Sequence, residues 1–338
     1  MSTTASFPSA SAPLAIVQRG TESLHVLVYD SAGESTQVIL YETLHQNNVS
    51  FHVGSMDGRA GMVYRGYPDR VPWLIKTLPS IDSTGKDKTI VHVDARDTIC
   101  LCNAEEILSK QVALTGAERA VVIGADALLW PDEGKTYSAY RSVSLEKAYS
   151  DTPSAEFNTP LLYINTGVLA GKSRTLLDLF SCMKQRFISF PDACPRKILS
   201  DGTVVSEYSE RLRYNFSKNS WHGPLKFGPG PGWGYDQACF HAYYLDQRRG
   251  YLPSSCPRLV LDTRAELVLS VGQQVRAMRW HNRPGRIQYN RTGAWPCFIH
   301  TAGPFKHVLN SLKRWWHKSA PLNSFTAISH ENRTSMLP

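Results

Sequence analysis

"TIVHVDARDTI", residues 89–99, places an apolar, β-branched run directly before two acids, Asp94 and Asp97, with only Ala95 and Arg96 between them. A run such as TIVHV reads as a strand buried on both faces, the kind found in parallel sheets covered by helices. Similar runs recur. "LHVLVYD" (24–30) and "VSFHVG" (49–54) precede it, and "RAVVIGA" (119–125) follows it. Strands are also expected near 258–262, 266–271 and 297–300.

Helical patterns fill the intervals. "TQVILYETLHQN" (36–47) carries helix formers, and Asp69 is placed to cap a helix with Val71, Leu74, Ile75 and Leu78 on one face. Pro72 fits there because it falls in the first turn. Asn103 and Glu106 form a capping-box pattern for a helix over 104–111. Ser173 is placed to cap a helix with Leu176, Leu177, Phe180 and Met183 turned inward, and "DQACFHAYYLDQ" (236–247) is helical with Ala238, Ala242 and Leu245 on one face. "LLYINTGVLAG" (161–171) reads as a bent strand or strand pair interrupted at Asn165-Thr166-Gly167. Alternating strands and helices imply an α/β fold with a mostly parallel central sheet. Ligands of such sheets sit at the carboxyl ends of the strands. Asp94 and Asp97 lie at such an end, which favours a site over an ordinary turn.

The remaining sequence sets the boundaries. Residues 1–20 read as a disordered tail, 21–315 as one domain and 316–338 as a C-terminal tail. The stretch 184–233 holds Pro191, Pro195, Pro224 and "GPGPGWG" (228–234), and is expected to be a long loop without regular elements. The start, MSTTASFPSASAP, lacks a basic segment followed by an apolar one, so no signal peptide is read, and no apolar run approaches the roughly 20 residues of a membrane span. Net charge is +8, from 37 basic and 29 acidic residues, which suggests an anionic partner. No run of five basic residues occurs, and no nucleic-acid-binding motif, so a phosphate-bearing small molecule is favoured over nucleic acid. The seven cysteines are sparse, form no CxxC pair, and are expected to be mostly buried free thiols, a local Cys182–Cys194 bridge being the alternative.

Two carboxylates as close as Asp94 and Asp97 repel unless a cation lies between them. Oxygen ligands suit Mg2+ or Mn2+, and an added imidazole shifts the choice toward Mn2+. "CFIHTAGPFK" (297–306) offers one: a strand ending on His300, then small residues around Gly303 that permit close backbone approach, then Lys306 as a point charge for phosphate. Trp130 in "ALLWPDEG" ends a strand where an indole can wall a sugar or base. Each of these residues also has a plainer reading. His300 suits a core, Lys306 and Arg70 suit solvent, Trp130 suits packing, Asn165 can bond its own turn, and Asp236 can be the first acid of its helix.

Seven segments in one order resemble the glycosyltransferase domain of the procollagen lysyl hydroxylases, which has a GT-A-type nucleotide-sugar-binding fold. They are "DRVPWLIK" (69–76), "VHVDARDTI" (91–99), "ALLWPDEG", "YINTGVLAG" (163–171), "YDQACFHAYYLD" (235–246), "LVLDTRAELVLSVG" (259–272) and "IHTAGPFK" (299–306). The resemblance implies that Asp94, Asp97 and His300 hold Mn2+, that Gly303 and Lys306 face a diphosphate, and that Arg70 stands near the nucleotide. It places Trp130 beside the sugar, and Asn165 and Asp236 at the donor–acceptor side. It implies transfer of a hexose from a UDP-sugar to a protein or glycan hydroxyl, such as hydroxylysine or glycosyl-hydroxylysine of a collagen-like protein, on the secretory route. The sequence departs from the family in having Asp236 alone where the family has a run of aspartates, and in a less glycine-rich turn after His300.

Two rival functions follow from the same residues. One is a non-catalytic relative that binds a sugar nucleotide without transferring it. The other is a non-haem iron oxygenase, since His92-Val93-Asp94 with a distal His300 matches a facial triad. The alternation of strands and helices argues against the β-rich scaffold of that chemistry.

Overall fold

A computed structural model describes residues 16–17, 23–30, 38–55, 70–81, 87–116, 118–127, 161–189, 193–198, 204–206, 236–271, 273–281, 285–301 and 305–319. The strands of the main sheet are β1 (Ile16–Val17), β2 (Leu24–Asp30), β3 (Phe51–Ser55), β4 (Thr89–Asp94), β5 (Thr98–Cys100), β6 (Ala120–Asp126) and β7 (Tyr163–Lys172) in the first half. After β8 (Phe187–Ser189), β9 (Ala193–Ile198) and β10 (Val204–Ser206), the sheet resumes with β11 (Arg258–Asp262), β12 (Val268–Ser270) and, beyond the hairpin β13 (Met278–His281) and β14 (Arg286–Tyr289), β15 (Phe298–His300). The helices are α1 (Ile39–Gln46), α2 (Arg70–Ile81), α3 (Ala104–Thr115), α4 (Ser173–Arg186), α5 (Asp236–Arg248) and α6 (Lys306–Ser319).

The ten strands run in the order β1-β3-β2-β4-β7-β6-β12-β15-β5, with β11 also on β6. Pairs β3–β2, β2–β4, β6–β11, β6–β12 and β12–β15 are parallel. Strand β7 runs antiparallel to both β4 and β6, and the short β1 and β5 are antiparallel additions. The architecture is thus α/β with a largely parallel central sheet. Successive strand residues feed opposite cores, which is why both faces of each strand had to be apolar. Ile90, Ile123 and Leu169 join the core under α2, α4 and α5, while Val91, Val122 and Ala170 join the one under α1 and α3.

Several sequence expectations change. Asn103 caps α3 by accepting from the Glu106 N–H at 2.9 Å, but the Glu106 side chain turns to Arg286 instead of closing the box, and the helix continues to Thr115 and ends on the left-handed Gly116. Ile75 is 37% exposed, because the apolar stripe of α2 narrows to Val71, Leu74 and Leu78. Strand β7 is continuous; the irregularity is in its pairing, which shifts against β6 between Ile123 and Gly124. The excursion after 184 is not wholly irregular. Strands β8, β9 and β10 form a small antiparallel sheet, with Pro195 between the pairs Ser189↔Ala193 and Phe187↔Lys197, where β8 and β9 lose register. A proline is tolerated at such a break because no ladder N–H is required there. Residues 207–235 lie outside the described residues. The N-terminal tail contributes β1, and the tail expected from 316 begins inside α6.

The thiol expectation fails. Cys102 is bonded to Cys297 and Cys182 to Cys256, across Cα distances of 4.8 and 5.9 Å, and Cys239 is also disulfide-bonded. Cys182 thus pairs with a distant cysteine brought in by the sheet and not with Cys194. Among the described residues only the buried Cys100 is free, its thiol pushed up to about 12 by burial.

Candidate functional site

The turn Asp94–Asp97 joins β4 to β5, and its geometry follows from the pairing on either side. Strand β4 delivers Asp94 opposite Tyr29 at the end of β2. Strand β5 then pairs antiparallel with β15, so that Thr98 lies opposite His300. This brings two segments far apart in sequence to one corner. The contact is locked by Thr301, whose backbone N–H and hydroxyl both donate to the Asp97 carbonyl, at 2.7 and 3.0 Å. The outer side of the turn is held by Arg96, which donates to the buried Asp30 at 2.8 Å, and by the Ala95 N–H on the Tyr29 carbonyl at 3.3 Å.

Within this corner, His300 Nε2 lies 3.5 Å from Asp97 Oδ1 and 3.8 Å from Asp94 Oδ2. One donor atom from each of the three lies within 4.8 Å of the others. Donors around one hard cation with bonds of about 2.0–2.6 Å stand about 3–5 Å apart, so the set fits a single Mg2+- or Mn2+-sized ion. The electrostatics agree. Burial raises the Asp94 carboxyl, an effect that Arg70 and His300 oppose and the neighbouring Asp97 reinforces. Burial alone would lower the His300 imidazole, but Asp97 first, then Asp94 and Asp126, hold it above its ordinary value. His300 Nδ1 and the flanking Thr98 and Ser270 hydroxyls are buried without hydrogen-bond partners among the described residues. Two crowded carboxylates and an imidazole recruiting a proton make the kind of cluster that a cation relieves.

Gly167 makes room for the imidazole. A Cβ there would stand 2.1 Å from His300 Cε1, so any side chain displaces the ring. In the sequence Gly167 stands only as part of an interruption in a strand, and nothing local marks it as the seat of a histidine.

The other expected site residues fall as follows. Arg70 is 2% exposed, and its guanidinium is engaged by Asp94 and Thr166, at 2.6 and 2.7 Å, so it presents little surface to a nucleotide. Asn165 is buried; its Nδ2 donates to Asp126 at 3.2 Å and its Oδ1 accepts from the Gly167 N–H at 2.9 Å, the turn-bonding role that its residue type permits. That contact brings in Asp126, at the end of β6, which no local sequence signal marks as a site residue. Asp236 and Lys306 are the first residues of α5 and α6, and their side chains lie outside the described set, as do Trp130 and Gly303 altogether. His92 is fully buried, with Nδ1 3.2 Å from the Leu27 carbonyl and Nε2 4.0 Å from Asp94 Oδ1. Among the described residues the donors that converge closely enough to share an ion are those of Asp94, Asp97 and His300, without His92.

Comparison with protein-family models gives no match, and neither does comparison with curated proteins. Among solved structures the chain is similar to a glycosyltransferase involved in the glycosylation of the major capsid of PBCV-1. The sequence identity is 10% and the TM-score 0.39, over 86% of this chain and 98% of that one. Among the described residues no helix is long and apolar enough to cross a membrane.

Proposed function

We propose that the protein is a Mn2+-dependent glycosyltransferase that moves a hexose from a UDP-sugar to a hydroxyl acceptor. The observation that carries this reading is the convergence of Asp94, Asp97 and His300 at the carboxyl end of β4, where parallel sheets take their ligands. In this reading those three side chains hold the ion, which when bound supplies positive charge opposite the diphosphate. Lys306, at the start of α6, adds a second positive charge on the same leaving group. The bond from the sugar's anomeric carbon to the diphosphate oxygen breaks, its electron pair staying with UDP. A new bond forms to the acceptor oxygen, whose proton passes to Asp236 at the start of α5. Trp130 walls the sugar and Asn165 stands at the donor–acceptor side.

The acceptor class drawn from the resemblance to the procollagen lysyl hydroxylases, a hydroxylysine or its glycosylated form, is part of the same proposal. The disulfides favour a compartment where such acceptors occur, because structural disulfides persist in oxidising surroundings. A UDP-release screen across UDP-sugars, with and without Mn2+, tests the reading. One donor should release UDP only with the metal, and His300→Ala should abolish that release. Failure of every UDP-sugar either to bind or to turn over, with Mn2+ present, would remove the proposal.

A further inference from the structure

Arg70 is the largest fully buried side chain among the described residues, and an unpaired guanidinium would not be tolerated there. Its pairing is specific. Nη1 donates to Asp94 Oδ1 at 2.6 Å, while the other carboxylate oxygen, Oδ2, is the one turned toward His300. Nη2 donates to the Thr166 hydroxyl at 2.7 Å. Thr166 in turn donates its backbone N–H and its hydroxyl toward Gln237 Oε1, at 3.2 and 3.3 Å. Gln237 is the second residue of α5, directly after Asp236. One chain of polar contacts therefore runs from the carboxylate on β4, through the first residue of α2 and the middle of β7, to the first turn of α5.

We propose that Arg70 is a positioning residue. It fixes Asp94 so that one carboxylate oxygen is spent on the guanidinium and the other is presented to the ion, and it couples that geometry through Thr166 and Gln237 to the helix that begins at Asp236. This rests on the metal reading above and differs from a nucleotide contact by Arg70. The planar fork is what spans Asp94 and Thr166 together; a lysine in its place keeps the charge but reaches only one of them.

The test measures Mn2+ affinity of the full chain by calorimetry, and UDP affinity in the absence of metal, for the unmodified protein, Arg70→Lys and Thr166→Val. Groups that support a metal ligand typically matter by about 10–100-fold in affinity. Arg70→Lys should weaken Mn2+ binding within that range and leave metal-free UDP binding unchanged. Thr166→Val, which keeps the Arg70–Asp94 contact but removes the second anchor, should weaken Mn2+ binding by a smaller factor. Loss of metal-free UDP affinity in Arg70→Lys, with Mn2+ affinity intact, makes Arg70 a nucleotide contact and overturns the assignment. Should Arg70→Lys not fold, unchanged Mn2+ affinity in Thr166→Val overturns it alone. If the unmodified protein binds no Mn2+, the metal reading falls and this assignment with it; if it binds and neither variant changes the affinity, only the positioning role falls.

Discussion

Strand β15 has ligand-type residues clustered at both ends, and the two ends differ in how those residues are held. At one end, Cys297 lies with Cys102 and Glu106; at the other, His300 lies with Asp94 and Asp97. By residue type the first group resembles a metal site at least as well as the second. Its donors are consumed, however. The two sulfurs are bonded to each other, and Glu106 is held by both Nη atoms of Arg286, at 2.8 and 2.6 Å, and by Lys110 at 2.8 Å. Burial would raise the Glu106 carboxyl, but these cations bring it below its usual value. At the other end Asp94 Oδ1 accepts from Arg70 while Oδ2 faces the His300 imidazole at 3.8 Å, and the Asp94 and His300 values both rise. The difference between a structural staple and a candidate site lies in the accounting of partners and not in residue type.

That contrast can be broken at either end. His300→Ala should reduce metal-dependent UDP-sugar turnover by more than about 100-fold, beyond the range typical of groups that only support a ligand. Normal turnover in a stopped assay of UDP release would place the chemistry elsewhere. Replacing Cys102 and Cys297 together by Ser should lower stability by about 2–4 kcal/mol, since the bridge closes a separation of 195 residues. Mn2+ affinity measured below the lowered melting transition should stay close to normal, and its loss would mean that the two ends are not independent.

Gly167→Ala sharpens the comparison at the His300 end. The new Cβ collides with the imidazole, so about 1–3 kcal/mol of overpacking is expected, with Mn2+ affinity weakened about tenfold. Equal Mn2+ affinity would show that the ring is not seated on Gly167. At the opposite end, Glu106→Gln should cost under about 1 kcal/mol, because the ion pairs are partly exposed, and should leave Mn2+ binding unchanged. Smallest of all is a pH effect distant from both ends. Burial first, then Lys88, lowers the His25 imidazole, and burial lowers that of His52. A histidine lowered in the folded state contributes stability that is present above its unfolded value of about 6.5 and is lost as pH falls below it. The contribution of His25 should therefore be lost between about pH 7 and about pH 5.5, and the melting temperature of His25→Gln should fall less over that range than that of the unmodified protein.

Much of this corner was legible because its signals are local. Strand β4 is an apolar run with acids after it, β15 is an apolar run with a histidine at its end, and the carboxyl ends of parallel strands are where ligands go. The Asn103 cap of α3 and the apolar face of α4 were legible for the same reason. What was hidden depends on topology. Arg70 and Asp94 belong to separate elements, and only the docking of α2 on the sheet joins them. Gly167 meets His300 only through the fold, since β6 and β12 stand between β7 and β15 in the strand order. The disulfides join cysteines whose spacing carries no pairing information. Helix α6 was missed although Val308, Leu312 and Trp316 recur every four residues, because Lys, Arg, His and Trp crowd the stretch between them. The β13–β14 hairpin was missed because its strands are four residues each, too short for alternation to stand out.

A Mn2+ titration followed by electron paramagnetic resonance, on the full chain, Asp97→Asn and Glu106→Gln in parallel, addresses the contrast directly. One tightly bound Mn2+ per chain is expected, lost in Asp97→Asn and kept in Glu106→Gln. Binding that survives Asp97→Asn, or that disappears in Glu106→Gln, would contradict it.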